Sequence, residues 1–247
     1  MATLFISDLH LDASHPQLTN LFLIFLKTHA KSADALYILG DLFEIWLGDD
    51  EPSEFAVIIQ QALHEHITTN QIPTYFLPGN RDFLVGKTFA QQTGIVLLSD
   101  PTIINLYGEP VLIKHGDDLC TQDSRHQYFR RISRNFLVKK AFLTLPCSIR
   151  EKMGAKIRLA SQKRSPTLIP EKMDVTPEVI PKLMQQHQVY QFIHGHTHQP
   201  AIIYFPLHDR LANRIVLSDW GNNGNFLKVE PDGSKRLIYF DHTGKPL

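Results

Sequence analysis

Residues 35–41 read ALYILGD, an apolar run that ends on a glycine followed by a carboxylate. An uninterrupted apolar run of this length is typical of a buried parallel strand. Asp41 would then lie at the carboxyl end of that strand, where open α/β sheets bind their ligands. Taken alone, a strand-end aspartate is more often a turn former or a helix cap. The rest of the chain decides between these two interpretations.

The same pattern recurs after four other short apolar runs. Each of these runs is followed by side chains that bind metals in proteins. These residues are Asp8 and His10, Asn80, His115, and His194, His196 and His198. Between the early runs the apolar spacing is helical, as in the helix that Pro16 opens. Strands alternating with covering helices predict an α/β fold whose strand ends lie near one another.

The last third of the chain has a different pattern. Short apolar runs are separated there by turns rich in Gly, Asn and Asp. The runs cover residues 201–205, 214–217, 225–229 and 236–240. Closely spaced strands with such turns predict an antiparallel second half.

Residues 123–172 interrupt the alternation of strands and helices. Between Arg125 and Arg164 there are twelve Lys or Arg residues and one acid, although the whole chain has a formal charge of zero. The spacing predicts two cationic helices, 125–145 and 148–164, broken at Pro146. Apolar residues line one face of each helix: Phe129, Ile132 and Phe136 on the first, and Ile149, Met153 and Ile157 on the second. We predict a helical lid inserted into one domain of residues 1–247.

Composition restricts the classes of protein that the chain can represent. A length of 247 residues with 43% hydrophobic residues suits a single domain with one substantial core. Cys120 and Cys147 have no paired spacing, so we expect neither a disulfide framework nor a thiolate zinc site, and a reducing cytoplasm fits best. The start MATLFISD lacks the basic region of a signal peptide, and no apolar run reaches the length of a membrane span. A peripheral membrane location stays open.

The strand ends together carry more metal ligands than one ion requires. The candidates are Asp8, His10, Asp41, Asn80, His115, His196 and His198. Seven ligands suit two metals that share a carboxylate, an arrangement that clamps the attacking and leaving oxygens in phosphoryl transfer. Asp41 is the natural bridging ligand. Imidazole, carboxylate and amide ligands without thiolate favour Mn, Fe or Zn over Ca.

An acidic loop follows Asp41 and contains four further carboxylates. Because a helix starts directly after this loop, most of these groups are expected to be solvated or to cap helices. None is assigned to a metal. They are Glu44, Asp49, Asp50 and Glu51.

Five short motifs resemble, in the same order along the chain, those of the calcineurin-like metallophosphoesterases. They are DLH at 8–10, GDLFE at 40–44, GNRD at 79–82, HGD at 115–117 and GHTH at 195–198. This resemblance implies an αββα sandwich with a helical lid and two divalent metal ions, with Mn²⁺ the expected metal. It implies one ion on Asp8, His10, Asp41 and His198, and the other on Asp41, Asn80, His115 and His196.

Longer motifs resemble one branch of that family, the lipid-nucleotide pyrophosphatases of lipid A biosynthesis. They are GDLFEIWLGDD at 40–50, GNRDFLVGK at 79–87, HGDDLCTQD at 115–123 and MDV at 173–175. The branch implies hydrolysis of a pyrophosphate bond, with a lipid nucleotide as substrate. We also expect no nucleic acid partner and a monomer. The resemblance to this branch implies substrate contacts from Asn80, Arg81, Asp123, Ser161 and His196. The residues expected to act in catalysis are Asp41, Asn80, Arg81, His115 and His196.

The chain departs from the family pattern at two places. Where the wider family has a histidine that protonates an alkoxide leaving group, this chain has Arg81. A phosphate monoester, with a second pKa of about 6, leaves readily as an anion, so Arg81 suits cleavage of a pyrophosphate better than of a phosphomonoester. In the lid, Ser165 and Leu168 replace an Asn and a Lys of the branch. We expect Lys163 or Arg164 to supply the missing charge.

The basic lid also predicts a partner. Bases on helices with apolar faces are typical of surfaces that lie on anionic lipid, and Arg130, Arg131 and Arg134 are expected to face it. The predicted location is therefore cytoplasmic, peripheral on the cytoplasmic face of the inner membrane. For the apolar faces themselves, packing against the sandwich is the default expectation.

Two other functions use the same features. A nuclease or cyclic-nucleotide phosphodiesterase would share the metal core and bind a polynucleotide with the basic lid. Apolar residues at helical spacing argue against this, because single-strand binding uses exposed aromatic residues along a basic groove. A non-enzymatic scaffold that kept the fold would be expected to lose metal ligands, and none is missing.

Overall fold

The computed structural model describes residues 1–50, 53–164 and 174–247, with residues 160–164 described by their backbone alone. The strands are β1 (Thr3–Ile6), β2 (Ala35–Ile38), β3 (Thr74–Phe76), β4 (Val96–Leu97), β5 (Thr102–Leu106), β6 (Glu109–Lys114), β7 (Gln191–His194), β8 (Ala201–Leu207), β9 (Arg210–Val216), β10 (Gly224–Val229) and β11 (Lys235–Phe240). The helices are α1 (Pro16–Thr28), α2 (Glu54–Asn70), α3 (Lys87–Thr93), α4 (Ser124–Ser133), α5 (Phe136–Leu143), α6 (Cys147–Arg164) and α7 (Val179–Gln186). A 3₁₀ turn, Ala30–Ser32, follows α1.

The strands form two sheets. One has six strands in the order β11-β10-β1-β2-β3-β4, and the other has five in the order β5-β6-β7-β9-β8. Strands β1 to β4 pair in parallel, and so do β6, β7 and β9. The carboxyl ends of the parallel strands in each sheet therefore point the same way, which brings the loops after them together.

Alternating side chains divide the interior into three apolar layers. Leu4 and Ile6 of β1 pack with the residues of α1, α2 and α3, whereas Phe5 packs between the two sheets. On the outer face of the second sheet, Ile180 and Met184 of α7 cover the strands. Because successive strand residues point to opposite faces, one short strand serves two of these layers. The order of layers is helix, sheet, sheet, helix, which confirms the predicted αββα sandwich.

The antiparallel second half is present in part. β8–β9 and β10–β11 are antiparallel hairpins, as the turn signals predict. The prediction is wrong for β9, which also pairs in parallel with β7. Turn residues indicate a hairpin, but they do not determine which neighbour the returning strand takes in the sheet.

The lid, defined here as helices α4, α5 and α6, lies between β6 and β7 in the chain and contains three helices instead of two. The predicted helix 125–145 is wrong, because α4 ends at Ser133 and α5 begins at Phe136. Asn135 separates them: its side-chain oxygen accepts hydrogen bonds from the backbone N–H groups of Leu137 and Val138. An asparagine at this position caps a new helix. The predicted break at Pro146 is confirmed, and residues 165–173 of the predicted lid lie outside the described residues.

A buried histidine in the outer helical layer makes the stability depend on pH. His66 of α2 is 3% exposed, and burial lowers its pKa to about 4. The unfolded chain takes up a proton near pH 6.5, whereas the folded state stays neutral, so His66 removes stability as the pH falls from 6.5 towards 4. Between pH 8 and pH 5, wild type should lose about 2 kcal/mol of unfolding free energy relative to His66→Gln.

Urea unfolding at several pH values measures this difference. His64→Gln, which removes an exposed imidazole from the same helix, is the control. If both variants followed wild type in parallel at all pH values, His66 would not be the group responsible.

Candidate metal centre

The structure brings all seven predicted ligands to the edge where the parallel strands end. Two sets of three have ligand atoms within 4.8 Å of one another. The first group is Asp8, His10 and His198, and the second group is Asp41, His115 and His196. Asn80 adjoins the second group, since its Oδ1 lies 2.9 Å from His115 Nε2. Asp41 is grouped with the second set, and its role as a bridge to the first stays a prediction.

The ligands sit on sharp turns of the backbone. Five of them have a positive φ between 51° and 70°: Asp8, His10, Asp41, His196 and His198. A left-handed conformation costs a residue other than glycine roughly 1–3 kcal/mol, and it persists only where the surroundings hold it. Here the backbone N–H of Asp8 donates to the carbonyl of Gly40 at 3.0 Å, and that of His10 to the carbonyl of Asp41 at 3.0 Å. The loop after β2 thus holds the conformation of the loop after β1.

Glycines allow these loops to approach closely. Gly40 has a φ of 87°, and a Cβ on Gly79 would overlap the carboxylate of Asp41. A Cβ on Gly195 would overlap the carboxylate of Asp8 in the same way. The glycines in the GD, GN and GH motifs are therefore needed because backbone lies directly against the ligand side chains.

The atoms of the second group face one another in a way that requires positive charge. His115 Nδ1 lies 2.9 Å from the carbonyl oxygen of Leu39, to which it donates, so Nε2 is the atom directed at Asn80 Oδ1 and Asp41 Oδ1. Burial alone lowers the pKa of His115, yet Asp41 and Asp8 raise it overall to about 9. The oxygens around Nε2 therefore favour a cation. A divalent metal supplies that charge and leaves Nε2 free to bind it.

The first group has the same character. His198 Nε2 lies 3.2 Å from Asp8 Oδ1 and 3.5 Å from His10 Nε2. Asp8 is fully buried, and its second oxygen accepts from the backbone N–H of His196 at 2.9 Å, which leaves Oδ1 for a ligand. Two imidazoles and a carboxylate converging in this way form a donor set for a divalent metal of the first transition row.

His196 and His194 have different surroundings. Burial and the nearby His115 lower the pKa of His196 to about 3, so its imidazole is neutral and can bind a metal. His194 Nε2 accepts from Arg214 Nε at 2.9 Å, and its Nδ1 donates to the carbonyl of Gly195 at 2.8 Å. Both nitrogens of His194 are used within the protein. It belongs to neither metal group and supports the turn instead.

Sequence reasoning missed a carboxylate beneath the second group. Asp82, the last residue of GNRD, is fully buried and accepts from the backbone N–H groups of Leu42 and Gly79, each at 2.7 Å. It ties the loop after β2 to the loop after β3. Burial, together with the negative charge of Asp41, raises its pKa to about 7. The sequence signal for Asp82 was its place at the end of the GNRD motif, which also contains Asn80.

A second missed carboxylate, Glu44, contacts the first group. Its Oε2 lies 3.1 Å from His10 Nδ1, and its Oε1 lies 3.1 Å from Arg158 Nε and 3.8 Å from Arg81 Nη1. A carboxylate that holds the second nitrogen of a metal-binding histidine fixes the orientation of the ring. Glu44 is thus not one of the solvated acids that its loop predicts, although it also belongs to neither metal group.

The rest of the acidic loop agrees with the prediction of capping and pairing. Asp49 accepts from the backbone N–H groups of Gly86 and Phe89 at 2.9 and 3.0 Å, which caps α3. Asp50 pairs with Arg150. Glu51 lies outside the described residues.

The structure describes the side chains of only some of the residues predicted to contact the substrate. Arg81 is partly exposed beside the second group, and its backbone N–H donates to Asp41 Oδ1 at 2.8 Å. The Asp123 side chain accepts from the backbone N–H of His126 and so caps α4. Ser161, Lys163 and Arg164 lie on α6, whose side chains are described only as far as residue 159, and Ser165 and Leu168 lie outside the described residues. Substrate contacts for these residues stay predictions.

Facing metal ligands at the ends of the central strands of an αββα sandwich define a metallophosphoesterase. Residues 1–200 match the model of the calcineurin-like phosphoesterase family, and the chain belongs to this family. It is 48% identical to UDP-2,3-diacylglucosamine hydrolase of Coxiella burnetii over 96% of this chain and 97% of that one. It is 44% identical to UDP-2,3-diacylglucosamine hydrolase of Photobacterium profundum over 95% and 96%. These relatives place it in the UDP-2,3-diacylglucosamine hydrolase branch, which confirms the narrower resemblance.

Among solved structures, the chain is similar to a novel archaeal phosphodiesterase. The TM-score is 0.49 and the sequence identity 12%, over 97% of this chain and 100% of that one.

Proposed function

We propose that this protein hydrolyses the pyrophosphate bond of UDP-2,3-diacylglucosamine in lipid A biosynthesis, giving UMP and 2,3-diacylglucosamine 1-phosphate. The proposal is carried by the two groups of facing ligands, in a chain 44–48% identical to relatives named for hydrolysis of this compound. We propose that it acts on this lipid nucleotide as a monomer.

Each group of ligands has a part in this reaction. Asp8, His10 and His198 would hold one divalent cation, and Asn80, His115 and His196 the other, with Asp41 shared. We propose Mn²⁺ at both positions. Bound there, the cations would lower the pKa of a water and neutralise charge on the phosphate oxygens.

Arg81 is the side chain that we propose stabilises the leaving phosphate. Its guanidinium carries a fork of donors that matches phosphate oxygens, and it is partly exposed, with Nη1 3.8 Å from Glu44 Oε1. The charge that develops on the leaving phosphate in the transition state would be stabilised by these donors. Because a phosphate leaves as an anion, no imidazole is needed at this position to protonate it.

One assay tests the substrate. The protein is incubated with Mn²⁺ and, in parallel, with UDP-2,3-diacylglucosamine, UDP-N-acetylglucosamine and single-stranded DNA. Rapid release of UMP from the lipid nucleotide alone supports the proposal. Cleavage of DNA alone would contradict it and favour the nuclease alternative.

The assay includes single-stranded DNA because the structure removes one argument against a nuclease. Phe129 and Phe136 were expected to pack against the sandwich. They are 42% and 74% exposed, and that expectation is wrong. Apolar periodicity shows that a helix has an apolar face, but it does not reveal what that face contacts.

We further propose that the exposed lid surface binds anionic lipid at the cytoplasmic face of the inner membrane. Within the described residues, no helix is long and apolar enough to cross a bilayer. Eleven of the described large apolar side chains on the three lid helices are at least 41% exposed, an arrangement that suits a surface resting on lipid. They are Tyr128, Phe129, Ile132, Phe136, Leu137, Val138, Leu143, Ile149, Met153, Ile157 and Leu159.

The structure changes which basic residues of the lid are expected to face the lipid. Arg130 and Arg134 turn inward to the buried carboxylate of Asp117, and of the three named bases Arg131 is exposed. Lys140 and Lys152 are also exposed on the lid. Each base near an anionic membrane contributes about 1 kcal/mol, so three reversals should weaken binding strongly.

Changing Arg131, Lys140 and Lys152 to Glu is therefore expected to reduce sedimentation with vesicles that contain anionic lipid, and to reduce its dependence on salt. The matched control changes Lys31, Lys87 and Lys182, exposed bases outside the lid, to Glu. Both variants have the same net charge. Equal loss of binding in the two variants, or no loss in either, would contradict a lid-specific membrane surface.

A further inference from the structure

The first lid helix presents a row of basic side chains to the second metal group. His126, Arg130 and Arg134 are spaced four residues apart, so they follow one another along one face near α4. Arg131, the neighbour of Arg130 in sequence, is exposed. The helix thus directs His126, Arg130 and Arg134 inward and leaves Arg131 in solvent.

Two of the inward residues share a buried carboxylate. Asp117 is fully buried and lies two residues after His115. Its Oδ2 accepts from Arg130 Nε at 2.8 Å and from Arg134 Nη2 at 3.3 Å. A buried carboxylate that loses its cationic partners is strongly unfavourable, so these pairs constrain where α4 can lie.

The same face of α4 also reaches the other two loops of the second group. Arg134 Nη2 donates to the carbonyl oxygen of Gly79 at 2.9 Å, in the peptide unit that joins Gly79 to Asn80. The ring of His126 stacks on that of His196, with centroids 5.8 Å apart and planes at 27°. All three loops that carry Asn80, His115 and His196 therefore contact α4.

The first group is connected to the lid by a different route. Arg158 of α6 pairs with Glu44 and, through Nη2, with Asp12 at 3.2 Å. Glu44 in turn contacts His10. A change in the contacts of α4 should thus act on the second group and leave the first group in place.

We propose that His126, Arg130, Arg134 and Asp117 form an α4 anchor, a set of positioning residues that aligns the ligands of the second metal for the reaction. Docking of α4 and the geometry of Asn80, His115 and His196 are then coupled, so a lid that detaches also loosens this site. The inference rests on the proposed two-metal reaction. It adds residues that touch neither the reacting phosphorus nor a metal.

The test uses the full-length protein and titration calorimetry with Mn²⁺. In Arg134→Ala and in Arg130→Ala, the affinity for one of the two Mn²⁺ ions should fall roughly tenfold to a hundredfold, as for other partners of metal ligands, while the other ion binds as in wild type. Arg131→Ala, which removes the same charge from the exposed side of the helix, should bind both ions normally. Hydrogen exchange of the α4 amides should become faster in the two anchor variants only.

A double-mutant cycle adds the carboxylate. If Asp117→Asn folds, its effect on Mn²⁺ affinity and that of Arg134→Ala should not add, because the two side chains form one contact. If Asp117→Asn does not fold, the Mn²⁺ titrations of the two arginine variants still test the proposal. Arg130→Ala and Arg134→Ala that bind two Mn²⁺ ions like Arg131→Ala would overturn the proposal.

These readouts are independent of the substrate. Should wild type fail to hydrolyse the lipid nucleotide, the proposed function would be wrong, while the Mn²⁺ titration would still separate the anchor variants from the control. With an active enzyme, kcat should fall in the anchor variants more than KM rises, since the residues do not contact the substrate.

Discussion

Asp41→Asn is expected to lower turnover of the lipid nucleotide by more than about a thousandfold, the largest effect of any single ligand substitution. Asp41 is 1% exposed, and its Oδ1 lies 3.6 Å from His115 Nε2 and accepts from the backbone N–H of Arg81. Asparagine preserves the volume of the side chain but removes the negative charge that both cations would share. An amide in that position can bind only weakly to two divalent ions at once.

Metal analysis and a rate measurement check this together. The bound Mn²⁺ should fall below two per chain in Asp41→Asn, and the loss of rate should exceed that in His10→Ala or His115→Ala. Asp209→Asn, in the exposed turn between β8 and β9, is the control for the same chemical change away from the site. A variant that kept two ions per chain and a near-normal rate would show that Asp41 does not bridge them.

Arg81→Ala should lower kcat by about 10²–10³, which corresponds to a loss of about 2.7–4 kcal/mol of transition-state stabilisation. Within the described part of the chain, the guanidinium pairs with Glu44 Oε1 at 3.8 Å, a long contact that leaves donors for a phosphate. The contact of residue 81 with Asp41 comes from the backbone N–H, which alanine retains. The metal content is therefore expected to stay at the wild-type value.

Arg81→His is the sharper comparison, because histidine is the residue that the wider family has at this position. It replaces a permanent cation and its fork of donors with an imidazole, a weaker base that does not carry a permanent charge, so cleavage of the pyrophosphate should still be slower than in wild type. Steady-state rates and metal analysis of wild type and the two variants suffice. A faster pyrophosphate cleavage in Arg81→His would show that Arg81 does not hold the phosphate.

Much of the metal centre was predictable because its signals are local. An apolar run followed by glycine and a metal-binding side chain describes both a strand and its end, and parallel strands end at the same edge of a sheet. The sequence alone therefore predicts that Asp8, Asp41 and His115 lie at strand ends that come together. The αββα sandwich itself was an implication of the family resemblance, because strands alternating with covering helices predict an α/β fold without specifying how two sheets pack.

The surroundings of the ligands could not be predicted in this way. Glu44 and Arg158 are more than one hundred residues apart in sequence, yet their side chains lie 3.1 Å from each other. Asp82 was part of a recognised motif, but its hydrogen bonds to Leu42 and Gly79 depend on how two loops pack. The charges and spacing of residues in a sequence indicate which side chains are able to form ion pairs or hydrogen bonds. Only the packing of the chain determines which of these contacts form.

The lid shows which properties depend on the sequence by itself and which depend on the tertiary structure. Its basic composition, its helices and the break at Pro146 are properties of the sequence by itself, since helix formation and termination depend on neighbouring residues. The direction of Arg130 and Arg134 towards Asp117, and of Arg131 towards solvent, was decided only by the tertiary structure. The rotation of a helix about its axis is set by what it packs against, and here a buried carboxylate two residues from a candidate metal ligand makes one rotation more favourable than the others.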